Sequence, residues 1–337
     1  MKVLSLTDET RLTGSYAATI GFFDGVHRGH RYVMEQLRQL ATTRDWPSMV
    51  ITFDRHPRQV VQTDWHPLLL TTLDEKIRLL ATTGIDLLVV LPFDGQMASL
   101  SAREFMQRVL VNQLGVRLLL TGYDNRFGHR TADTSEGFAD YVRYGNSMGL
   151  EVVCGEGLQT SELKTHNSKL ITQTSGLRPY ISSSLIRRLL EEGRVAEAAQ
   201  CLGRDYSLSG TVVHGFQQGR TMGFPTANML LADDCQRLVP KDGVYAVRVC
   251  LSPHTSHLTP LPAITNIGMR PTFDGHRRTI ETYIFDFTGD LYGQTITVLF
   301  VDRLRNEQHF ASPQDLARQM ADDEKAARSR LASSLTT

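Results

Sequence analysis

Midway along this chain the hydrophobic period changes, and that change restricts the fold to two unlike domains. Up to about residue 155, short apolar runs alternate with longer segments whose apolar residues recur every three to four positions. The spacing predicts strands over 17–22, 48–53, 87–91 and 117–121, with helices over 30–42, 73–83, 102–111 and 135–148, the last leading into residues 151–154. Strands that are apolar throughout and separated by helices predict a mostly parallel sheet covered on both faces. Next comes a helix carrying Leu185, Ile186, Leu189 and Leu190, with Ser182, Ser183 and Ser184 at its start, and then a short helical connection over 193–206. After it the period shortens. Strand-like runs over 207–213, 243–249, 263–267, 279–287 and 295–301 are separated by glycine, proline and aspartate, which predicts an antiparallel barrel or sandwich. A polar helix opening at Ser312 and Pro313 and carrying Leu316, Met320 and Ala327 follows. The length of 337 residues agrees with two domains, because a single hydrophobic core seldom grows beyond about 250–300 residues.

Charge narrows the partners. Lys and Arg number 36, as do Asp and Glu, so no global basic field favours a nucleic-acid polymer, and a nucleotide bound at a local phosphate site is the expectation. Met1 to Ser5 run into polar Thr7 to Arg11 without the apolar core of a secretory signal, and the apolar run Leu87 to Leu91 is too short to span a bilayer. Cys154, Cys201, Cys235 and Cys250 lack CxxC spacing and read as reduced thiols. No membrane partner is expected.

Two segments carry phosphate chemistry. Between the first strand and the first helix lies Gly21-Phe22-Phe23-Asp24-Gly25-Val26-His27-Arg28-Gly29-His30. Two histidines three residues apart at a strand-to-helix turn place both imidazoles near exposed helix amides, which suits a polyphosphate under attack. Taken alone, the segment can also be a glycine turn whose histidines make only local hydrogen bonds. In the second half, Gly210, Gly215, Gly219 and Gly223 allow the main chain to approach phosphates, and Arg220 adds positive charge. Thr226 and Asn228 offer neutral oxygens two residues apart, suited to orienting magnesium and ATP, although a barrel hairpin with turn glycines would look similar.

The first segment resembles the HxGH signature of the nucleotidylyltransferase superfamily, and in its wider setting the chain resembles the bacterial bifunctional riboflavin kinase/FAD synthetase family. Ile51-Thr52-Phe53-Asp54-Arg55-His56-Pro57 is similar to that family's second loop, Thr121-Gly122-Tyr123-Asp124-Asn125-Arg126-Phe127-Gly128 to its flavin-side loop, and Ile181 to Arg187 to its ISSTxIR segment. Val239 to Tyr245, Asn266 to Thr272, Phe287 to Gly293 and Leu304 to Glu307 resemble the riboflavin kinase module. The resemblance implies an α/β protein: a Rossmann-like nucleotidylyltransferase domain over 1–188, a connecting segment over 189–206, and over 207–337 an antiparallel six-stranded riboflavin kinase β-barrel with a terminal helix.

It also implies two reactions, phosphorylation of riboflavin by ATP to FMN and transfer of AMP from a second ATP to FMN, giving FAD and pyrophosphate. Gly21, Phe22, Asp24, Gly25, His27, His30, Ser182, Ser183 and Arg187 would bind ATP for adenylylation. Of these, His27 and His30 would stabilise the transferred α-phosphoryl group, and Ser182, Ser183 and Arg187 would hold the departing phosphates. His56, Asp124, Asn125, Arg126 and Phe127 would face the flavin. In the kinase module Gly215, Gly219, Arg220, Gly223, Thr226 and Asn228 would bind ATP, Thr226 and Asn228 would hold Mg2+, and Glu281 would be the general base. Phe22 stands where the family has Asn, Asn125 where it has an aromatic, Ser184 where it has Thr and Tyr283 where it often has His; altered site detail is expected, not lost chemistry. An active kinase with an altered or inactive adenylyltransferase half, or a non-catalytic flavin- or nucleotide-binding regulator, are the alternative readings. The expected partners are small-molecule flavins and ATP, in a cytoplasmic monomer or weak homo-oligomer.

Overall fold

The computed structural model describes residues 1–61, 68–122, 136–160, 180–215, 224–232, 236–251, 259–272 and 275–333. The chain divides into two compact units, Met1–Ser183 and Ser184–Thr337. In the first, strands β1 (Lys2–Ser5), β2 (Tyr16–Ile20), β3 (Ser48–Phe53), β4 (Leu87–Leu91), β5 (Val116–Thr121) and β6 (Glu151–Cys154) form one sheet in the order β1-β4-β3-β2-β5-β6. Every pair is parallel.

The period of two along each strand divides the apolar residues between two cores. Ala18, Ile20, Met49, Ile51, Leu87 and Val89 join one cluster, while Ala17, Val50, Leu88 and Val90 join the other. Helices α1 (Arg28–Thr43) and α3 (Leu73–Ala81) cover the second cluster with Met34, Leu37, Ala41 and Leu80. The short helices α2 (Pro57–Val61) and α4 (Gly95–Ser99) follow β3 and β4 respectively. Ala102 and Phe105 of α5 (Ala102–Phe105) and Tyr141 of α6 (Phe138–Met148) pack on the first cluster.

Two details differ from the sequence expectation. The helix expected over 102–111 is α5 followed by a π-helix, Met106–Gln113, which buries Met106, Val109 and Leu110. Strand β1 was not expected, because its residues are mostly exposed and it joins the sheet through backbone pairing with β4 alone, leaving no apolar alternation to read. The sheet order places the site. The chain moves from β2 to β3 and β4 on one side and resumes at β5 on the other, so the topological switch point, where sheets of this kind bind ligands, lies at the C-terminal ends of β2 and β5.

Helix α7 (Ser183–Glu191) starts at the last residue of the first unit, and in the second unit it and α8 (Val195–Leu202) precede a closed barrel. Its six antiparallel strands, β7 (Tyr206–Val213), β8 (Thr226–Leu230), β9 (Gly243–Cys250), β10 (Leu261–Thr272), β11 (Gly275–Ile284) and β12 (Thr295–Arg305), run in the order β10-β11-β8-β7-β12-β9. Strand β8, not expected from the sequence, buries only Met229 and so has no clear alternation. Inside the barrel, Thr265 and Thr282 face each other fully buried and share a hydrogen bond of 2.8 Å. Helix α9 (Pro313–Ser333) begins as expected, with the Ser312 hydroxyl accepting from the Asp315 N–H at 3.1 Å. Its Ala327 and Leu331 pack on Val244, Ala246, Ile264 and Phe285. So small an apolar contact is supplemented by ion pairs: Arg305 grips Asp323 at 2.7 Å, and Arg328 lies over the Phe285 ring while pairing with Glu324 and Asp286.

Candidate active sites

The first site is a turn fixed from below. The Gly21 N–H donates to the Ile51 carbonyl as β2 ends, and Phe23 and Val26 then adopt φ of 53° and 39°. Left-handed backbone at a β-branched residue stores about 1–3 kcal/mol of strain. Burial of Val26 and Phe23 in the second core holds the turn there. The Asp24 carboxylate accepts the Leu70 and Thr71 N–H groups at 3.0 and 3.1 Å and the Thr71 hydroxyl at 3.2 Å. Thr71 in turn receives the Gly25 N–H at 3.1 Å. Asp24 is therefore buried as a staple between the turn and the segment that enters α3.

His27 caps α1: its Nδ1 accepts the His30 N–H at 3.2 Å, so the neutral ring carries its proton on Nε2. The His27 and His30 rings stack at 3.5 Å and 19°, and Phe23 meets the His30 ring edge-on at 5.2 Å. Gly29 makes room for this stack, since a Cβ there would lie 2.9 Å from the Ile181 carbonyl and 3.1 Å from His27 Nδ1. His30 Nδ1 is buried and has no hydrogen-bond partner among the described residues. Burial, and then the positive charge of Lys76, push its pKa down to about 3, so the ring is neutral at neutral pH. Anionic phosphates arriving beside it would oppose both effects.

Lys76, which sequence reading passed over, lies beneath this turn. Its Nζ donates to the carbonyls of Phe22 at 3.1 Å and Phe53 at 3.0 Å and sits 4.1 Å from the centre of the Phe22 ring. Phe22 also meets His56 edge-on at 4.6 Å, and its carbonyl accepts the Thr52 hydroxyl. At position 22 the backbone carbonyl makes the polar contacts and the side chain contributes only its ring. The Ser183 hydroxyl donates to the Asp24 carbonyl at 2.9 Å. Ser182 precedes α7, and Arg187, half-buried, lies one turn beyond Ser183 along it. Asp124, Asn125, Arg126 and Phe127 lie outside the described residues, as do Gly219, Arg220 and Gly223 of the second site.

On the barrel, the β8–β11 register pairs Thr226 with Tyr283 and Asn228 with Glu281, while the β10–β11 register sets Asn266 opposite Glu281. Paired residues share a face, and alternation places Thr226, Asn228, Glu281 and Tyr283 together on the outer face, opposite buried Thr282. Tyr283 contacts Phe224 and Phe285, and burial raises its phenol pKa. The Asn228 carboxamide covers Gly215, with Nδ2 2.2 Å from where a Cβ would stand. Beside it, His214 stacks on Tyr292 at 3.8 Å. This donor set fits Mg2+: two neutral side-chain oxygens lie beside a carboxylate, and among the described residues there is no cluster of three His, Cys, Asp or Glu side chains. Magnesium retains water and phosphate ligands and needs only one or two protein oxygens.

A parallel sheet with a histidine-bearing turn at its switch point, followed by a barrel with a row of neutral oxygens and a carboxylate, fits a two-module nucleotide-dependent transferase. The FAD synthetase family model matches residues 10–169 and the riboflavin kinase model residues 202–331. A bifunctional riboflavin kinase/FMN adenylyltransferase from Escherichia coli K12 is 39% identical over 313 residues, covering 92% of this chain and 91% of that protein. One from Pseudomonas fluorescens is 37% identical over 320 residues, covering 94% and 93%. A crystal structure of a Streptococcus pneumoniae protein described as a macrolide-efflux protein aligns over 97% of this chain and 99% of its own, with a TM-score of 0.79 and 30% identity. The chain belongs to the bifunctional riboflavin kinase/FMN adenylyltransferase family.

Proposed function

We propose that the barrel unit phosphorylates riboflavin and the sheet unit adenylylates the resulting FMN, with the residues above in the following roles. Glu281 accepts the proton of the terminal ribityl hydroxyl as its oxygen attacks the γ-phosphorus of ATP and ADP leaves. Thr226 and Asn228 would hold Mg2+, which neutralises phosphate charge and orients the donor. The turn around Gly215, with Gly219, Arg220 and Gly223, receives the phosphates.

In the sheet unit a phosphate oxygen of FMN attacks the α-phosphorus of ATP, and pyrophosphate departs without a covalent enzyme intermediate. His27 donates from Nε2 and His30, neutral before ATP arrives, acts beside it on the α-phosphoryl oxygens. Ser182, Ser183 and Arg187 receive the leaving pyrophosphate, where a planar guanidinium can meet two oxygens at once. His56, Asp124, Asn125, Arg126 and Phe127 face the flavin. The functional modules are proposed to run over 1–188 and 207–337, joined by 189–206. A cytoplasmic location is part of the proposal, because each FAD consumes two ATP; among the described residues no helix is long and apolar enough to cross a membrane.

The observation that carries this reading is the pairing, in one chain, of the stacked His27 and His30 at the switch point with the Asn228–Glu281 row on the barrel. Incubation of the purified protein with riboflavin, ATP and Mg2+, followed by chromatographic separation of the flavins, tests it. His30→Ala is expected to accumulate FMN with little FAD. Glu281→Ala is expected to leave riboflavin unphosphorylated while still converting supplied FMN. Normal FAD formation by the first variant, or equal loss of both reactions in either, overturns the assignment.

A further inference from the structure

Lys76 lies on the buried stripe of α3, one turn before Leu80, and is 2% exposed. Burying an ammonium is costly, and a methionine would occupy similar volume without that cost. The lysine instead spends two of its donors on the carbonyls of Phe22 and Phe53, which follow the C-terminal ends of β2 and close β3. Those are the points where the chain leaves the sheet for the His27–His30 turn and for the Asp54–His56 loop. The helix bearing it is itself anchored. The Thr72 hydroxyl accepts the Glu75 N–H while Glu75 accepts the Thr72 N–H, and the two residues before Thr72 are bound to Asp24.

We propose that Lys76 is a positioning residue for adenylylation, clamping the ends of β2 and β3 so that the histidine turn and the His56 loop keep a fixed spacing around the triphosphate. The idea rests on the reading of the sheet unit as the adenylylation site. The groups around the ammonium agree with such a clamp. Asp24 and Asp54 face it with opposite charge, His30 is kept neutral partly by it, and the Phe22 ring, backed by His56, closes over it. Arg55 hydrogen-bonds Asp54 from the solvent side, and the Phe93 N–H donates to the other carboxylate oxygen. Burial brings the Lys76 pKa down to about 8, and the two aspartates act to raise it. The ammonium therefore remains mostly protonated at neutral pH, as a clamp that donates to two carbonyls requires.

Initial rates of FMN adenylylation and of riboflavin phosphorylation, measured on the full chain for wild type, Lys76→Met and Lys76→Arg, test the proposal. A clamp whose loss shifts the turn by about 1 Å predicts that Lys76→Met lowers kcat for adenylylation about 10²-fold, with the KM for ATP nearly unchanged. Lys76→Arg, which restores charge and donors, recovers most of that loss, and riboflavin phosphorylation stays at the wild-type rate in both variants. Adenylylation by Lys76→Met at the wild-type rate overturns the proposal and leaves the function of the unit intact. A loss that Lys76→Arg does not relieve, accompanied by early unfolding of the sheet unit, overturns it in favour of a purely structural lysine. Failure of the wild-type protein to convert FMN to FAD overturns the reading of the site and the clamp with it.

Discussion

Gly215→Ala is a small change with a large expected effect on one reaction only. The new Cβ would stand 2.2 Å from Asn228 Nδ2, 2.4 Å from Cγ and 2.7 Å from Oδ1, so the whole carboxamide is in the way. Ordinary contact begins at 3.4 Å, so Asn228 must retreat by roughly 1 Å, and a misplacement of that size can cost about 10²-fold in rate. Asn228 stands opposite Val213 on one neighbouring strand and Glu281 on the other, which leaves little room for the ladder to yield. The clash is with a side-chain carboxamide on the outer face and not with backbone, so thermal denaturation of the barrel should shift little while the rate falls. Riboflavin phosphorylation, followed by separation of FMN from riboflavin, should fall about 10²-fold, with adenylylation of supplied FMN unchanged. Repeating the substitution in an Asn228→Ala background, where no carboxamide remains to displace, separates this route from a Cβ that crowds the phosphates directly: displacement predicts a smaller further loss there. A full-rate kinase in Gly215→Ala, or an equal further loss in the Asn228→Ala background, would refute the argument.

His30 makes the sheet unit sensitive to acid. Its folded pKa of about 3 lies below the ordinary 6.5, so the unfolded chain binds the extra proton and stability falls as pH drops through that window, by at most ~1.4 kcal/mol per pH unit. Denaturation curves should show a steeper acid dependence for wild type than for His30→Asn, and equal slopes would remove the cause. Arg305→Met should strip Asp323, 4% exposed, of its main partner and cost about 3–5 kcal/mol of barrel stability. The double variant Arg305→Met with Asp323→Leu should recover most of the loss in urea titrations; no recovery would mean that the pair is not what docks α9.

The sheet unit was legible because its central strands are buried on both faces and its helices amphipathic: β3 and β4 match the ranges expected from the residues alone. The placement of His27 and His30 at a strand-to-helix turn was legible because the glycines around them interrupt the apolar pattern between β2 and α1. Lys76 was not singled out, although it occupies a core position between Leu73 and Leu80 on α3, and a lysine on an apolar stripe is the signal that would have found it. The Asp24 staple was equally hidden, since it joins residues 46 and 47 positions apart through backbone N–H groups that no side-chain pattern encodes. Strand β8 escaped because three of its five residues, Thr226, Ala227 and Asn228, are polar or small, and that composition obscured its pairing.

The register of β1 against β4, with Lys2 beside Leu87, has a consequence for biosynthesis. A nascent chain elongates at about 5–20 residues per second, so β1 leaves the ribosome several seconds before its partner exists. The central strands β2 and β3, joined through α1, can meet much earlier, and β1 is then left to add at the margin once β4 has docked. Until then an extended segment with unsatisfied backbone donors is exposed to other chains. In the emerging protein, the strand of this sheet made earliest is therefore among the last to find its place.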